Sequence, residues 1–154
     1  MDIKAGKPYP SGDLSNFKPR TFTVRGIECA SMEGFVQALK FKGIEMQKHI
    51  CTLTGRKAKS SGAKKNWHTS QTLWWQGKPI KRDSDEYQQL LDEAFNALFD
   101  QNEGARKALL ASGDAVLKHS VGKTKIQDTV LTEREFCSRL TKKRAELKAK
   151  QFLE

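Results

Sequence analysis

No apolar run in this chain is longer than four residues, Ala108 to Ala111, which leaves nothing able to form a membrane-spanning helix. The amino terminus, Met1 to Lys7, lacks an apolar stretch that could act as a signal peptide, so a cytoplasmic protein is expected. Cysteine is scarce. Cys29, Cys51 and Cys137 form no close pair along the chain, and an odd, scattered set predicts reduced, partly buried thiols instead of a disulfide framework. His49, His68 and His119 share no metal-ligand spacing with the cysteines or with one another, so no metal site is expected. Repeats and low-complexity segments are absent as well.

What is present suits one globular domain. A length of 154 residues lets folding bury roughly 70% of the unfolded surface, enough for a core without staples. The apolar fraction of 37% is low, but the apolar residues are grouped and periodic, which argues against disorder. Charge is unevenly spread. The net charge is +10; residues 1–77 carry 13 cations and 5 acids, while residues 78–154 carry 15 and 13. A basic half fits a polyanionic partner, and it also fits a merely solubilising surface.

The coarse reading is α+β, mainly α-helical with a small β component. Residues 1–20, rich in glycine, proline and polar residues, read as an extended arm or loop. Phe22 to Ile27 reads as a short strand with a turn. Ser31 resembles a helix cap, followed by Met32, Phe35, Val36 and Leu39 at helical spacing, with Gly43 ending or interrupting that helix. A shorter helix is expected over 44–54. Residues 55–66 carry five cations and no acid, and read as a basic loop. Thr72 to Trp75 and Lys78 to Lys81, split by Gln76-Gly77, predict a hairpin confined to an edge by Pro79. Asp83 with Glu86, and Thr132 with Glu135, have capping-box spacing. The first precedes the stripe Tyr87, Leu90, Leu91, Ala94, Phe95 and Leu98; the second precedes Phe136, Leu140 and Leu147. Another helix is expected from Glu103 to Ser112, stopped by Gly113.

Two local patterns bear on chemistry. Gly122-Lys123-Thr124 resembles the end of a phosphate loop, but the glycine required five residues before Gly122 is Leu117, so nucleoside triphosphate hydrolysis is excluded. On the helix after Ser31, Gln37 and Lys40 lie within about 40° of Glu33, beside the core stripe. An acid, an amide and a cation so aligned could line a cleft, or form an ordinary solvated face. Lys64-Lys65-Asn66-Trp67 could stack on a base while its lysines meet phosphates, or it could be a core tryptophan after a charged turn.

These signals coincide in one family. The chain resembles the NADAR, or YbiA-like, family in Asp13-Leu-Ser-Asn-Phe17, Ser31-Met-Glu-Gly-Phe-Val-Gln-Ala-Leu-Lys-Phe41 and Ala58-Lys-Ser-Ser-Gly62. It also does so in Lys65-Asn-Trp67, Ala108-Leu-Leu-Ala-Ser-Gly-Asp114 and Leu117-Lys-His119. The resemblance implies a single YbiA-like domain over 1–154 and an N-glycosidase acting on a ribosyl–nitrogen bond. The associated substrates are ADP-ribose on guanine in nucleic acid, and phosphorylated ribosylamino-pyrimidine intermediates of riboflavin synthesis. Some members reverse DNA ADP-ribosylation and so neutralise toxins. No cofactor is implied.

By the same resemblance, Glu33 and Lys40 are catalytic, with Lys40 either holding Glu33 ionised or attacking C1′ itself. Asn16, Phe17, Gln37, Gly62, Lys65, Trp67 and Asp114 are expected to bind substrate. YbiA-type members carry an acid in a Trp-Gly stretch after the His119 position; this chain has no Trp there and offers Asp114 or Asp128. Five cations over 55–66 suit a polymer better than a small phosphorylated intermediate, so the expected partner is ADP-ribosylated nucleic acid, DNA favoured, or ADP-ribose. The rival from another class is a non-catalytic ADP-ribose or nucleic-acid binding module.

Overall fold

A computed structural model describes residues 1–154. The amino-terminal arm is docked at Ile3 and again at Ser11, Leu14 and Ser15, while residues 4–9 between them are exposed. Ile3 is completely buried, and a parallel bridge joins Asp2 to Lys118, with Ile3 N–H donating to the Lys118 carbonyl at 2.8 Å. The arm also carries a short helix, α1 (Ser11–Leu14), instead of running extended throughout. β1 (Phe22–Val24) and β2 (Ile27–Cys29) then form an antiparallel hairpin. Its turn is Arg25-Gly26, both at positive φ, which is the geometry a tight two-residue hairpin needs.

Ser31 caps α2 (Met32–Ala38), its hydroxyl accepting from Gly34 N–H at 3.0 Å and donating to the Leu53 carbonyl at 2.9 Å. Every residue of α2 is buried, because α3 (Ile44–Cys51) and α4 (Gly55–Ala63) pack on it from two sides. Gly34 makes the first contact possible: a Cβ there would lie 2.5 Å from the Leu53 carbonyl oxygen. Phe35 fills the centre between Phe22 and Trp75, at ring distances of 6.3 and 5.4 Å. Each such fully buried side chain stabilises the fold by roughly 1.5–3 kcal/mol.

β3 (Thr72–Trp75) and β4 (Lys78–Lys81) make the expected second hairpin, with Trp74 opposite Pro79. Alternation sends Trp75 into the core and leaves Trp74 half-buried under Lys42. α5 (Asp85–Asp100) buries Tyr87, Leu90, Leu91, Ala94, Phe95 and Leu98 as its stripe predicts. α6 (Glu103–Ala111) gives way to Gly113 at φ +62°. α7 (Glu133–Leu153) begins with the Thr132–Glu135 capping box. The architecture is α+β, mostly helix with two small hairpins, as the pattern predicts. No helix is long and apolar enough to cross a membrane. The three cysteines are free and buried.

Three local expectations are corrected. The basic loop at 55–66 is mostly the helix α4: Ala58 and Gly62, four residues apart, sit buried while Arg56, Lys57 and Lys59 remain outside. Packing of that small-residue face on α2 outweighs the low helix propensity of glycine and serine. Gly43 does not end α2, which stops at Ala38; it precedes α3. The cap of α5 is Ser84, whose hydroxyl accepts from Tyr87 N–H at 3.1 Å, one residue after the expected Asp83.

Candidate active site

α2 and the turn that follows it deliver Glu33, Gln37 and Lys40 to one cleft of about 620 Å³, within the size range of small-molecule sites. The stripe is therefore a cleft wall and not a solvated face: Glu33 is 9% exposed and Gln37 7%. Gln37 Nε2 donates to Glu33 Oε1 at 3.0 Å, whereas Oε2 has no partner within the chain. The Glu33 backbone N–H donates to the Asn16 carbonyl at 3.1 Å, tying the start of α2 to the Asn16-Phe17 segment, which lines the same cleft. Lys40 Nζ donates to the Gly62 carbonyl at 3.2 Å. Gln37 Oε1 is buried without a hydrogen-bond partner and lies against Gly62, where any Cβ would overlap it.

α4 supplies Arg56 and Lys59, the latter 5.9 Å from the Phe17 ring centroid. The arm adds Lys4, and the 119–131 segment adds His119, Lys123 and Asp128. Five cations (Lys4, Lys40, Arg56, Lys59 and Lys123) thus meet two carboxylates on the cleft wall. Trp67 is the core tryptophan of the two alternatives, 3% exposed, and it borders the cleft beside His68.

The far wall is held from behind by a buried ion pair. Arg82, 1% exposed, meets Glu135 at 2.6 and 3.0 Å, stacks over Tyr87, and donates through Nε to the Thr129 carbonyl at 2.9 Å. Tyr87 Oη donates to the Val130 carbonyl. Side chains distant in sequence therefore fix residues 129–131 as part of the cleft.

With this geometry in view, known proteins bear on the chain. The model of the family described as bacteriophage protein GP30.3 matches residues 8–145. The chain belongs to that family. A relative from Enterobacteria phage T4, an uncharacterized 17.1 kDa protein of the Gp30–rIII intergenic region, is 40% identical over 141 residues. That match spans 88% of this chain and 91% of the relative. The NMR structure of E. coli YbiA aligns with a TM-score of 0.66 and 19% identity, over 100% of this chain and 88% of YbiA. The fold is YbiA-like, as the motifs implied.

Electrostatics in the GP30.3-family cleft set its two central groups against their usual states. Burial pushes the Glu33 carboxyl up, while the Gln37 bond and the charges of Lys59, Lys40 and His119 pull the other way. Burial pushes the Lys40 ammonium down; Lys123 and Lys59 add to that effect and Glu33 opposes it. A carboxylate with one free oxygen beside a lysine biased toward the neutral amine can stabilise a developing cation, accept a proton from water, or support attack by the amine.

Not every anticipated residue joins this site. Asp114 is fully exposed and paired with Lys148 at 2.6 Å, outside the cleft, because α6 ends before it and α7 draws it away. Of the two acids proposed for that role, Asp128 lines the cleft. Lys65 lies over the Phe41 ring, outside the lining, and Gly62 supports Gln37 and Lys40 from behind. No sequence motif gives a role to Lys4, Lys123 or His119. The Gly122-Lys123 pair was visible, but as a broken phosphate loop. Lys4 reaches the cleft only because Ile3 is buried.

Proposed function

We propose that this protein is an N-glycosidase that releases ADP-ribose from ADP-ribosylated guanine in DNA, reversing the modification a toxin would install. The observation that carries the reading is Glu33, buried with one free carboxylate oxygen in a cleft of about 620 Å³ lined by five cations. The cations suit the pyrophosphate and the nucleic-acid backbone. Cleavage of the ribosyl–nitrogen bond develops positive charge at C1′, which an anionic Glu33 would stabilise before taking a proton from the incoming water. Lys40 would hold Glu33 ionised. The T4 relative and YbiA support the family and fold from which the reading starts.

The test is to incubate the protein with DNA carrying ADP-ribosylguanine and follow free ADP-ribose by mass spectrometry. Glu33→Gln should lower turnover roughly 10²–10⁴-fold while ADP-ribose still binds. Turnover close to wild type in that variant would remove Glu33 from the mechanism. Tight binding with no release by either protein would favour a binding module, and release from a ribosylamino-pyrimidine phosphate alone would change the substrate.

A further inference from the structure

His119 has no part in the chemistry described so far, yet its surroundings define the ring closely. Nδ1 lies 2.7 Å from the Ile3 carbonyl oxygen. A carbonyl can only accept, so Nδ1 carries a hydrogen and Nε2 is the nitrogen that exchanges protons. The ring stands edge-on to Phe136, at 5.3 Å and 82°. Gly122 closes over it, since a Cβ at that position would come within 2.6 Å of the His119 Cδ2. The backbone N–H of His119 donates to Glu133 at 2.7 Å. Nε2 has no partner within the chain and is not buried, and the residue lines the same cleft as Glu33.

A fixed ring with a free second nitrogen is what a proton donor requires. The other titratable neighbours are less suited. Asp128 is exposed with no side-chain bond holding it, His68 is exposed beside Trp67, and the Lys40 ammonium is engaged by the Gly62 carbonyl. A departing base nitrogen is a poor leaving group and needs a proton as the bond breaks.

We infer that His119 is a second catalytic residue, the acid that passes a proton from Nε2 to the departing base nitrogen while Glu33 serves the sugar and the water. This rests on the N-glycosidase reading above. The C1′–N bond breaks, its electron pair stays on nitrogen, and that nitrogen takes the Nε2 proton. Water forms the new C1′–O bond and gives a proton to Glu33. Return of that proton through solvent to His119 restores both groups, so the sum is hydrolysis. Nδ1–H keeps its bond to Ile3 in both states of the ring.

Two substrates differing in leaving group test the assignment: a DNA oligonucleotide with ADP-ribosylguanine, and ADP-ribose bearing 4-nitrophenolate at C1′, whose departure needs no proton. His119→Gln and His119→Asn should each slow the guanine substrate roughly 10²–10⁴-fold and retain most of the nitrophenyl activity. His119→Asn keeps an amide able to bond Ile3, so agreement between the variants excludes simple loss of structure. Glu33→Gln should slow both substrates. If the histidine variants slow both equally, or neither, while wild type cleaves both, the acid role is overturned. A wild type that cleaves only the nitrophenyl compound has no working acid, which also overturns it. If wild type cleaves neither, the N-glycosidase reading itself fails.

Discussion

Glu33 is asked to be ionised in a place that disfavours ionisation, and stability should register the conflict. Burial raises its folded-state pKa above the ordinary carboxylate value. The folded state therefore holds the proton more tightly, and the Glu33 contribution to stability is lost as pH climbs from that ordinary value through the raised one. Glu33→Gln keeps a polar group for Gln37 and removes the charge. It should unfold a few degrees higher than wild type at pH 7, with the gap closing toward pH 4, when followed by circular dichroism. A lower melting temperature at pH 7 would mean that the surrounding cations outweigh burial. Arg82 presents the opposite case. Burial pushes the Glu135 carboxyl up, but the bonds from Arg82, Gln88 and Thr132 hold it below its usual value. Arg82→Leu should cost about 3–5 kcal/mol in urea unfolding, because it strands a buried carboxylate. That destabilisation should shrink as the medium is acidified and Glu135 takes up a proton.

At the scale of elements, two glycines on the helix crossings separate stability from site geometry. Gly34 meets the backbone carbonyl of Leu53, which cannot move aside without shifting the end of α3. Gly34→Ala should therefore destabilise the protein by at least about 1–3 kcal/mol in denaturant. Gly62 meets the end of the Gln37 side chain, which can rotate away. Gly62→Ala should leave stability within about 1 kcal/mol of wild type and release Gln37 from Glu33. Its expected signature is a fall in kcat of roughly tenfold with little change in KM. Equal losses of stability in the two variants would show that the α2–α4 crossing is as rigid as the α2–α3 one.

For the molecule as a whole, the excess of cations belongs mostly to one half of the chain, and that half supplies four of the five cations that reach the cleft. If three or four of these meet phosphates, affinity of the Glu33→Gln protein for ADP-ribosylated single-stranded DNA should fall with salt at a log–log slope of about −2 to −3. Free ADP-ribose should show a clearly shallower slope. Fluorescence anisotropy across a salt series reads both; equal slopes would confine recognition to the ADP-ribose group.

Local patterns were enough for much of this protein. The Ser31 and Thr132 caps, the stripe along α5, the second hairpin and the alignment of Glu33, Gln37 and Lys40 all follow from side chains within a few residues of one another. Periodicity and capping are short-range effects, so they are written in sequence. Whether the Glu33 stripe faced water or a cleft was not, because that depends on which surfaces α4, the arm and the 119–131 segment cover. The helical state of 55–63 likewise came from docking Ala58 and Gly62 on α2, against their local propensity. Lys4 and His119 enter the site through the pairing of the arm with Lys118, more than a hundred residues away in the chain. Asp114 leaves it through its ion pair with Lys148. The chemistry of each group was legible from its residue type; its company was decided by long-range packing, which alone fixes which charges share a low-dielectric space.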